Sequence, residues 1–593
     1  DAQDNLVRLL HADGTAIDAE YSPTGRIIAK VYSDGLVESF SYDALRRLVS
    51  ASNSTATIRL KWDEDGNLVQ EQQNAYTLDH AYDPRGSRIQ STDSLGRTIH
   101  YSYDSRNQLR SITDSLMGLH LFEYDAVGWL RRHTMPNGAM LDYAYDLRGR
   151  TNGQRLHGLK GAELEAVYKF DPASRLTEER TFTGNEVVFR YDACDRLLDV
   201  HPTGHPHRSY KYDLAGNAVL TPIFGTVLYS SGNRLAQADG ITFDYNARDL
   251  LSEAAGNIGK THFVYNAAGR LSEIWRGDEQ LAGYAYDPLG RRVTKSVRGS
   301  TTVFSWNGFQ TAYEETEAGV TAYLSDESRF LPLSRSSAGT VEHFVADRRG
   351  CVTASLDASA SLTGTFAYDE LGTLKALAPQ DAPPFRLRGQ YFDLESGLHY
   401  NLQRYYHPSF GLFLSRDPLG IEAGFNAFQY GPNTITWEDP FGLESECQGD
   451  VFYRAMSTEE KQKVLADCQL HAKKSKCPEG PYVTQTKKYC ESAMREKPDD
   501  YEHLAEICTQ PGTVQALQNS PFAGVNGSQT QHWPPGMSVI ASGQVNRIEM
   551  KWERLGRPDE ALNYGLSKGE GLKTFNDKVT GMKFTPSGET CAK

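Results

Sequence analysis

Residues 98–130 read "TIHYSYDSRNQLRSITDSLMGLHLFEYDAVGWL". Within them an aromatic–Asp pair, at Tyr103 and again at Tyr124, ends a segment that alternates apolar and polar residues and opens a short polar stretch. Alternation with period two marks a strand with one buried face. The Asp can bond backbone amides inside a turn, and a Gly such as Gly128 supplies positive φ. The stretch therefore predicts strand, turn, strand, with the aromatic residue at the mouth of each turn.

The unit recurs. Tyr21 ("YSPTGRI"), Tyr42 ("YDALRRL"), Trp62 ("WDEDGNL"), Tyr82 ("YDPRGSR"), Tyr103, Tyr124 and Tyr145 ("YDLRGRT") advance by 21, 20, 20, 21, 21 and 21 residues. The beat continues at Phe170, Tyr191 and Tyr212, and returns less regularly at Tyr265, Tyr286 and Tyr368. Chance YD pairs in an ordinary β-domain would not keep so even a spacing. A unit of this size cannot bury its own face, so neighbours must stack, and the expected architecture is a long β-sheet winding into a solenoid.

Composition agrees. The chain has 593 residues, with 32 Tyr and 52 Gly against 8 Met, a balance that favours strands and turns over helices. That length implies at least two domains. The formal charge is −14; residues 444–593 hold 19 Lys+Arg against 20 Asp+Glu, so −13 belongs to residues 1–443. An acidic shell argues against nonspecific nucleic-acid binding there. No run of 18 apolar residues suggests a membrane span. The start, "DAQDNLVRLL", has neither the basic nor the apolar region of a signal peptide.

Residues 415–443, "SRDPLGIEAGFNAFQYGPNTITWEDPFGL", repeat Asp-Pro-X-Gly at Asp417 and Asp439, 22 residues apart. Such a tetrapeptide is a good β-turn. Two carboxylates held close have a second use: they cannot both ionise cheaply, so one keeps its proton as an acid while the other activates water. The preceding residues 390–406 read "QYFDLESGLHYNLQRYY".

The YD units resemble those of Rhs proteins and of their teneurin and Tc-toxin relatives, over roughly residues 1–443. The closing segment is similar, almost letter for letter, to the end of the Rhs core. The resemblance implies a hollow cocoon around a C-terminal toxin, an aspartyl dyad of Asp417 and Asp439, and self-cleavage between Leu443 and Glu444. It also implies delivery through a type VI secretion spike by regions upstream of this sequence, and hence that Asp1 is a truncation or processing point. The expected domains are a YD-repeat β-shell (1–385), a closing segment with the autoprotease motifs (386–443) and a toxin domain (444–593).

The tail changes texture. The capping-box spacing from Ser457 to Glu460 predicts a helix, "PYVTQTKKYCESAMRE" reads as a strand entering a helix, and "GMSVIAS", "NRIEMKW" and "VTGMKFT" are strand candidates, so an α+β domain is expected. Its cysteines, Cys447, Cys468, Cys477, Cys490, Cys508 and Cys591, show no CxxC spacing, and its His471, His503 and His532 form no ligand array, so no metal is expected. Disulfides and free thiols both remain open. "VFYRAMS" near the start and "NYGLSKGEGLKTFN" near the end resemble ADP-ribosyltransferase toxins of the Arg–Ser/Thr–Glu class. That resemblance implies NAD as substrate, Arg454 on its diphosphate or ribose, Tyr453 packed on it, and Thr484 or Thr486 bracing the nicotinamide ribose. A late Glu then favours the oxocarbenium-like state: Glu553 first, with Glu549 and Glu570 as alternatives.

The expected function is a secreted antibacterial effector, released into a target-cell cytoplasm, that transfers ADP-ribose to a protein or RNA of the translation machinery. A cognate immunity protein would guard the producer. The alternatives are an NAD glycohydrolase, a nuclease, and a non-enzymatic adhesion shell at the cell surface.

Overall fold

The structure, a computed structural model, describes residues 1, 5–257, 259–375, 382–420 and 426–443, and beyond these only the backbone of ten short strands.

Hydrogen bonds within one repeat account for the beat. After strand Thr98–Tyr103 the carboxylate of Asp104 accepts the amides of Arg106 and Gln108 at 2.8 and 2.9 Å. The Asp104 amide donates to the Gln108 carbonyl at 2.9 Å and closes the turn. The third residue after each Asp takes positive φ, whether Gly128 (96°) or Asn107 (63°). The strand register slips at Ser102/Tyr103, as it does before the aromatic residue of repeat after repeat. That bulge re-aims the ring. The Tyr124 hydroxyl then donates to the Leu109 carbonyl at 2.9 Å, Tyr145 to Leu130 at 2.8 Å, and Tyr191 to Leu176 at 2.9 Å. Trp62 makes the same bond to Leu48 with its indole N–H at 2.8 Å. At these repeats the aromatic residue thus grips the closing residue of the repeat before it.

Strands pair antiparallel with their sequence neighbours, as His100 pairs with Thr113. Among the described residues they form a 20-stranded sheet from Arg8–Leu10 to Arg208–Ser209 and a 17-stranded sheet from Lys211–Tyr212 to Leu362–Thr365. The second runs beside the first, so partners lie about two hundred residues apart in sequence: Glu38 with Arg270 (2.7 Å), Asn53 Nδ2 to the Tyr286 carbonyl (2.9 Å), Asn137 Nδ2 to the Asp357 carbonyl (2.7 Å). Ile99, Ile112 and Phe122 of the first sheet pack with Ala312, Leu324 and Leu333 of the second. The all-β winding expected from the repeats is the fold observed.

The closing segment adds a four-stranded sheet, Tyr391–Asp393, Leu398–Asn401, Arg404–His407 and Leu412–Phe413. Its Leu398, Tyr400, Tyr405 and Phe410 share a core with Ile274, Phe304 and Trp306 of the second sheet. Buried Arg292 pins it there. Its guanidinium pairs with Asp393 and lies 4.4–5.3 Å from the ring centres of Tyr284, Phe304, Tyr391 and Tyr400.

In the tail nine strands form one sheet, from Val451–Met456 onward. The candidates in "VFYRAMS", "YVTQT", "GMSVIAS", "NRIEMKW" and "VTGMKFT" are all strands, at Val451–Met456, Tyr482–Thr484, Val539–Ile540, Ile548–Arg554 and Val579–Thr585. The helix candidates lie outside the described residues. No helix among the described residues is long and apolar enough to cross a membrane.

One cross-sheet contact carries a pH dependence. His120 and His133 of the first sheet meet Ser334 and His343 of the second through His120–His133 (2.9 Å), His120–Ser334 (3.1 Å) and Ser334–His343 (2.7 Å) bonds. Phe122 stacks on His133. Burial lowers all three imidazoles, His133 to about 3 with help from Arg329, His343 to about 4, and His120 well below its ordinary range. These folded values lie below the unfolded value near 6.5, so their stability is fully present above about pH 6.5 and is lost as pH falls toward them, at about 1.4 kcal/mol per pH unit per imidazole. Urea midpoints should hold above pH 6.5 and drop between 6.5 and 4.5. The drop should be shallower in His343→Gln.

Candidate functional site

Both Asp-Pro-X-Gly segments are turns, as their sequence predicts: Asp417 Oδ1 accepts the Leu419 amide at 2.8 Å, and Asp439 Oδ1 accepts the Leu443 amide at 2.9 Å. The tertiary structure brings the two turns onto one cation. Arg404 Nη2 lies 2.7 Å from Asp417 Oδ2 and 3.2 Å from Asp439 Oδ2, and each of the three side chains is 1% exposed. The same nitrogen donates to the Leu443 carbonyl at 3.0 Å, while Nε donates to the Gly442 carbonyl at 2.6 Å and Nη1 to the Ala427 carbonyl at 3.0 Å. Phe413 covers one face of the guanidinium, with its ring centre 3.6 Å away. Leu443, the acyl side of the expected cleavage, therefore sits in the site; Glu444 lies outside the described residues.

Other groups hold the second turn. Asn401 Nδ2 donates to the Asp439 carbonyl at 2.8 Å, and the Asp439 amide donates to the Tyr430 hydroxyl at 3.0 Å. Burial pushes the Asp439 carboxyl above the usual carboxylate range against the opposing pull of Arg404 and the Leu443 and Gly442 amides. Burial likewise lowers the Arg404 guanidinium, opposed by the two carboxylates. Beside the turn lies a cavity of about 600 Å³ lined in part by Trp129, Arg348, Arg388, Trp437, Glu438 and Phe441. Arg404, Asn401 and Tyr430 had no assigned role in the sequence. The signal was present only as the Arg of "QRYY", since nothing in a linear pattern says where a guanidinium points.

Strand Trp437–Glu438 pairs antiparallel with Glu446–Cys447, and the second turn, with Leu443, follows the first of these strands. In the tail, Tyr453 pairs with Thr484, Thr484 also pairs with Asn563, and Glu549 and Glu553 lie on the strand that pairs beyond, opposite Gly565 and Ala561. Backbone pairing thus places Arg454 and Thr484 on neighbouring strands of one sheet, with Glu549 and Glu553 further along it, beyond strand Glu560–Leu566. Thr486 and Glu570 lie outside the described residues.

A wound all-β shell of YD repeats, closed by a segment with two buried aspartates, defines a class of protein. The family described as Teneurin YD-shell matches residues 17–170 and 162–437, and the chain belongs to that family. Among curated relatives, Toxin protein Tse5 of Pseudomonas aeruginosa is 26% identical over 505 residues, covering 70% of this chain and 38% of that protein. Double-stranded DNA deaminase toxin A of Burkholderia cenocepacia is 28% identical over 324 residues, covering 48% of this chain and 23% of that protein. The solved Photorhabdus luminescens Tc holotoxin pore matches with a TM-score of 0.60 at 16% identity, over 76% of this chain and 28% of that one. The TcdB2–TccC3 crystal structure matches with a TM-score of 0.52 at 16% identity, over 74% of this chain and 29% of that one. The chain spans well under half the length of each, and the two structures speak to the fold alone.

Two glycines let the second turn seat. A Cβ on Gly442 (φ 65°) would lie 2.3 Å from the Asn401 carbonyl oxygen, and one on Gly389 (φ 76°) 2.1 Å from the Pro440 carbonyl oxygen. Gly96 (φ 89°) would meet nothing within 4 Å. Gly96→Ala should cost only the conformational strain, about 1–3 kcal/mol. Gly389→Ala and Gly442→Ala should cost more in urea unfolding and should expose residues 437–443 to limited proteolysis.

Proposed function

We propose that the chain is the closing part of a secreted antibacterial Rhs effector, and that it cuts itself between Leu443 and Glu444 to free its tail. The observation that carries the cleavage reading is Arg404 Nη2, which touches both aspartates and the Leu443 carbonyl oxygen. In this scheme the proton is assigned to Asp439, whose carboxyl burial pushes above the usual carboxylate range. Asp417 takes a proton from water as it adds to the Leu443 carbonyl carbon. Arg404 stabilises the oxyanion with a charge already in position. Asp439 then protonates the departing Glu444 nitrogen, the C–N bond breaks, and a Leu443 carboxylate and a Glu444 amine remain.

For the tail we infer ADP-ribosyl transfer from NAD. Support comes from the motifs and from the single sheet that carries Arg454, Thr484 and the candidate glutamates Glu553 and Glu549. One curated relative is a DNA deaminase toxin and the other is described only as a toxin, so likeness to them supports the shell and leaves the tail's chemistry to its own residues. A shell holding a toxin until delivery, a type VI spike, a cognate immunity protein and an acceptor in the translation machinery belong to the same reading.

Asp439→Asn should give a single uncut band on a denaturing gel, where the parent chain gives two. Two bands from that variant would refute the dyad. Arg404→Lys, which keeps a charge but loses the fork, should slow cleavage by roughly one to three orders of magnitude. Incubating the cleaved chain with labelled NAD and bacterial lysate should leave label on a macromolecule, and Arg454→Ala should abolish it. Free ADP-ribose alone would point to a glycohydrolase, and untouched NAD to neither.

A further inference from the structure

We propose that Asp199, His201 and His207 form a site for a divalent cation of the zinc class, on the last hairpin of the first sheet. Asp199 and His201 are two apart on strand Leu197–Pro202, so they share the face opposite buried Val200 and Pro202. The register, Asp199 opposite Ser209 and Val200 opposite Arg208, continues to place His207 opposite His201. All three donors therefore stand on one face of one hairpin, and a ligand atom from each lies within 4.8 Å of the others.

The contacts already present show a cluster short of one partner. His207 Nε2 is 2.9 Å from Asp199 Oδ1, and the Ser209 hydroxyl donates to that oxygen at 2.8 Å. The His201 and His207 rings stack, with centres 4.0 Å apart and planes 12° from parallel, so their edges lie side by side. His201 Nε2 is buried yet has no hydrogen-bond partner. A cation held by both imidazoles and the carboxylate would give that nitrogen the partner it lacks, once one ring rotates out of the stack so that both lone pairs converge. Two imidazole nitrogens and one carboxylate oxygen suit zinc, cobalt or nickel, and exposed His207 leaves a position for water.

The location gives such a cation a task. Next to the hairpin the Tyr210 amide donates to the Leu198 carbonyl at 2.8 Å, and its hydroxyl donates to Glu370 at 2.5 Å, as the chain leaves the first sheet for the second. A cation bridging the two arms would clamp that seam in the folded state alone, and so would stabilise it by mass action.

The test uses the full chain, stripped with a chelator and titrated with zinc by calorimetry. One equivalent should be lost in His207→Ala and in Asp199→Asn and kept in His205→Ala. Zinc should raise the melting temperature of the parent but not of His207→Ala. Cobalt in place of zinc should give a spectrum at this site without a thiolate charge-transfer band, which separates it from any binding by tail cysteines. Zinc uptake by His207→Ala and Asp199→Asn equal to that of the parent, or no uptake at micromolar zinc, would overturn the proposal.

Discussion

A hydrogen bond from a repeat's aromatic residue to the carbonyl that closes the repeat before it recurs along this shell. Tyr124 reaches Leu109, Tyr145 reaches Leu130 and Tyr212 reaches Leu197, each across fifteen residues. A strand, a hairpin and a second strand must fit in that interval, so a one-residue insertion would flip a strand's faces or break the bond. Arginine adds a second tie. Arg150 holds Asp146 of its own turn at 2.6 Å and the Asp171 carbonyl of the next at 2.9 Å, and Arg175 and Arg196 do the same one and two repeats on. Turns therefore stack on turns along one rim of the sheet, which keeps every strand in register over a long meander.

The closing segment depends on that regularity and breaks it. It closes over two buried cations, Arg292 of the second sheet and its own Arg404. Arg292 exchanges water for four aromatic rings and Asp393; Arg404 exchanges it for two carboxylates, three carbonyls and the Phe413 ring. A buried guanidinium is costly unless its donors are met, and at Arg404 all three nitrogens have acceptors, so that site is specific about what surrounds it. At Arg404 that specificity brings together two turns 22 residues apart in sequence. The turn reading of Asp-Pro-X-Gly holds, and the turn geometry is what presents each carboxylate to the guanidinium.

The strand–turn–strand unit, its length and the β class of the repeat region were legible in the sequence, because period-two alternation and turn chemistry are local properties written every twenty or twenty-one residues. Asp417, Asp439 and Leu443 were legible as a motif. Their meeting place was not, since a cation from a strand some dozen residues upstream and an Asn from the strand before it supply the contacts. Positive φ at Asn107, Ser174 and Asp195, where other repeats have Gly, shows the same limit: a turn supported on both sides by its neighbours imposes backbone geometry that residue type alone would not suggest.

By itself, then, the order of residues determined that this chain must pair its strands with their neighbours and stack repeat upon repeat, since no unit can bury its own face alone. Only the tertiary structure decided which residues about two hundred positions apart meet across the two sheets, that three histidines share a dry seam, and that Arg404 stands between both aspartates and the Leu443 carbonyl. These are long-range pairings, set by how the wound sheet closes on itself, and no local pattern encodes the distance at which one turn of that winding meets the next.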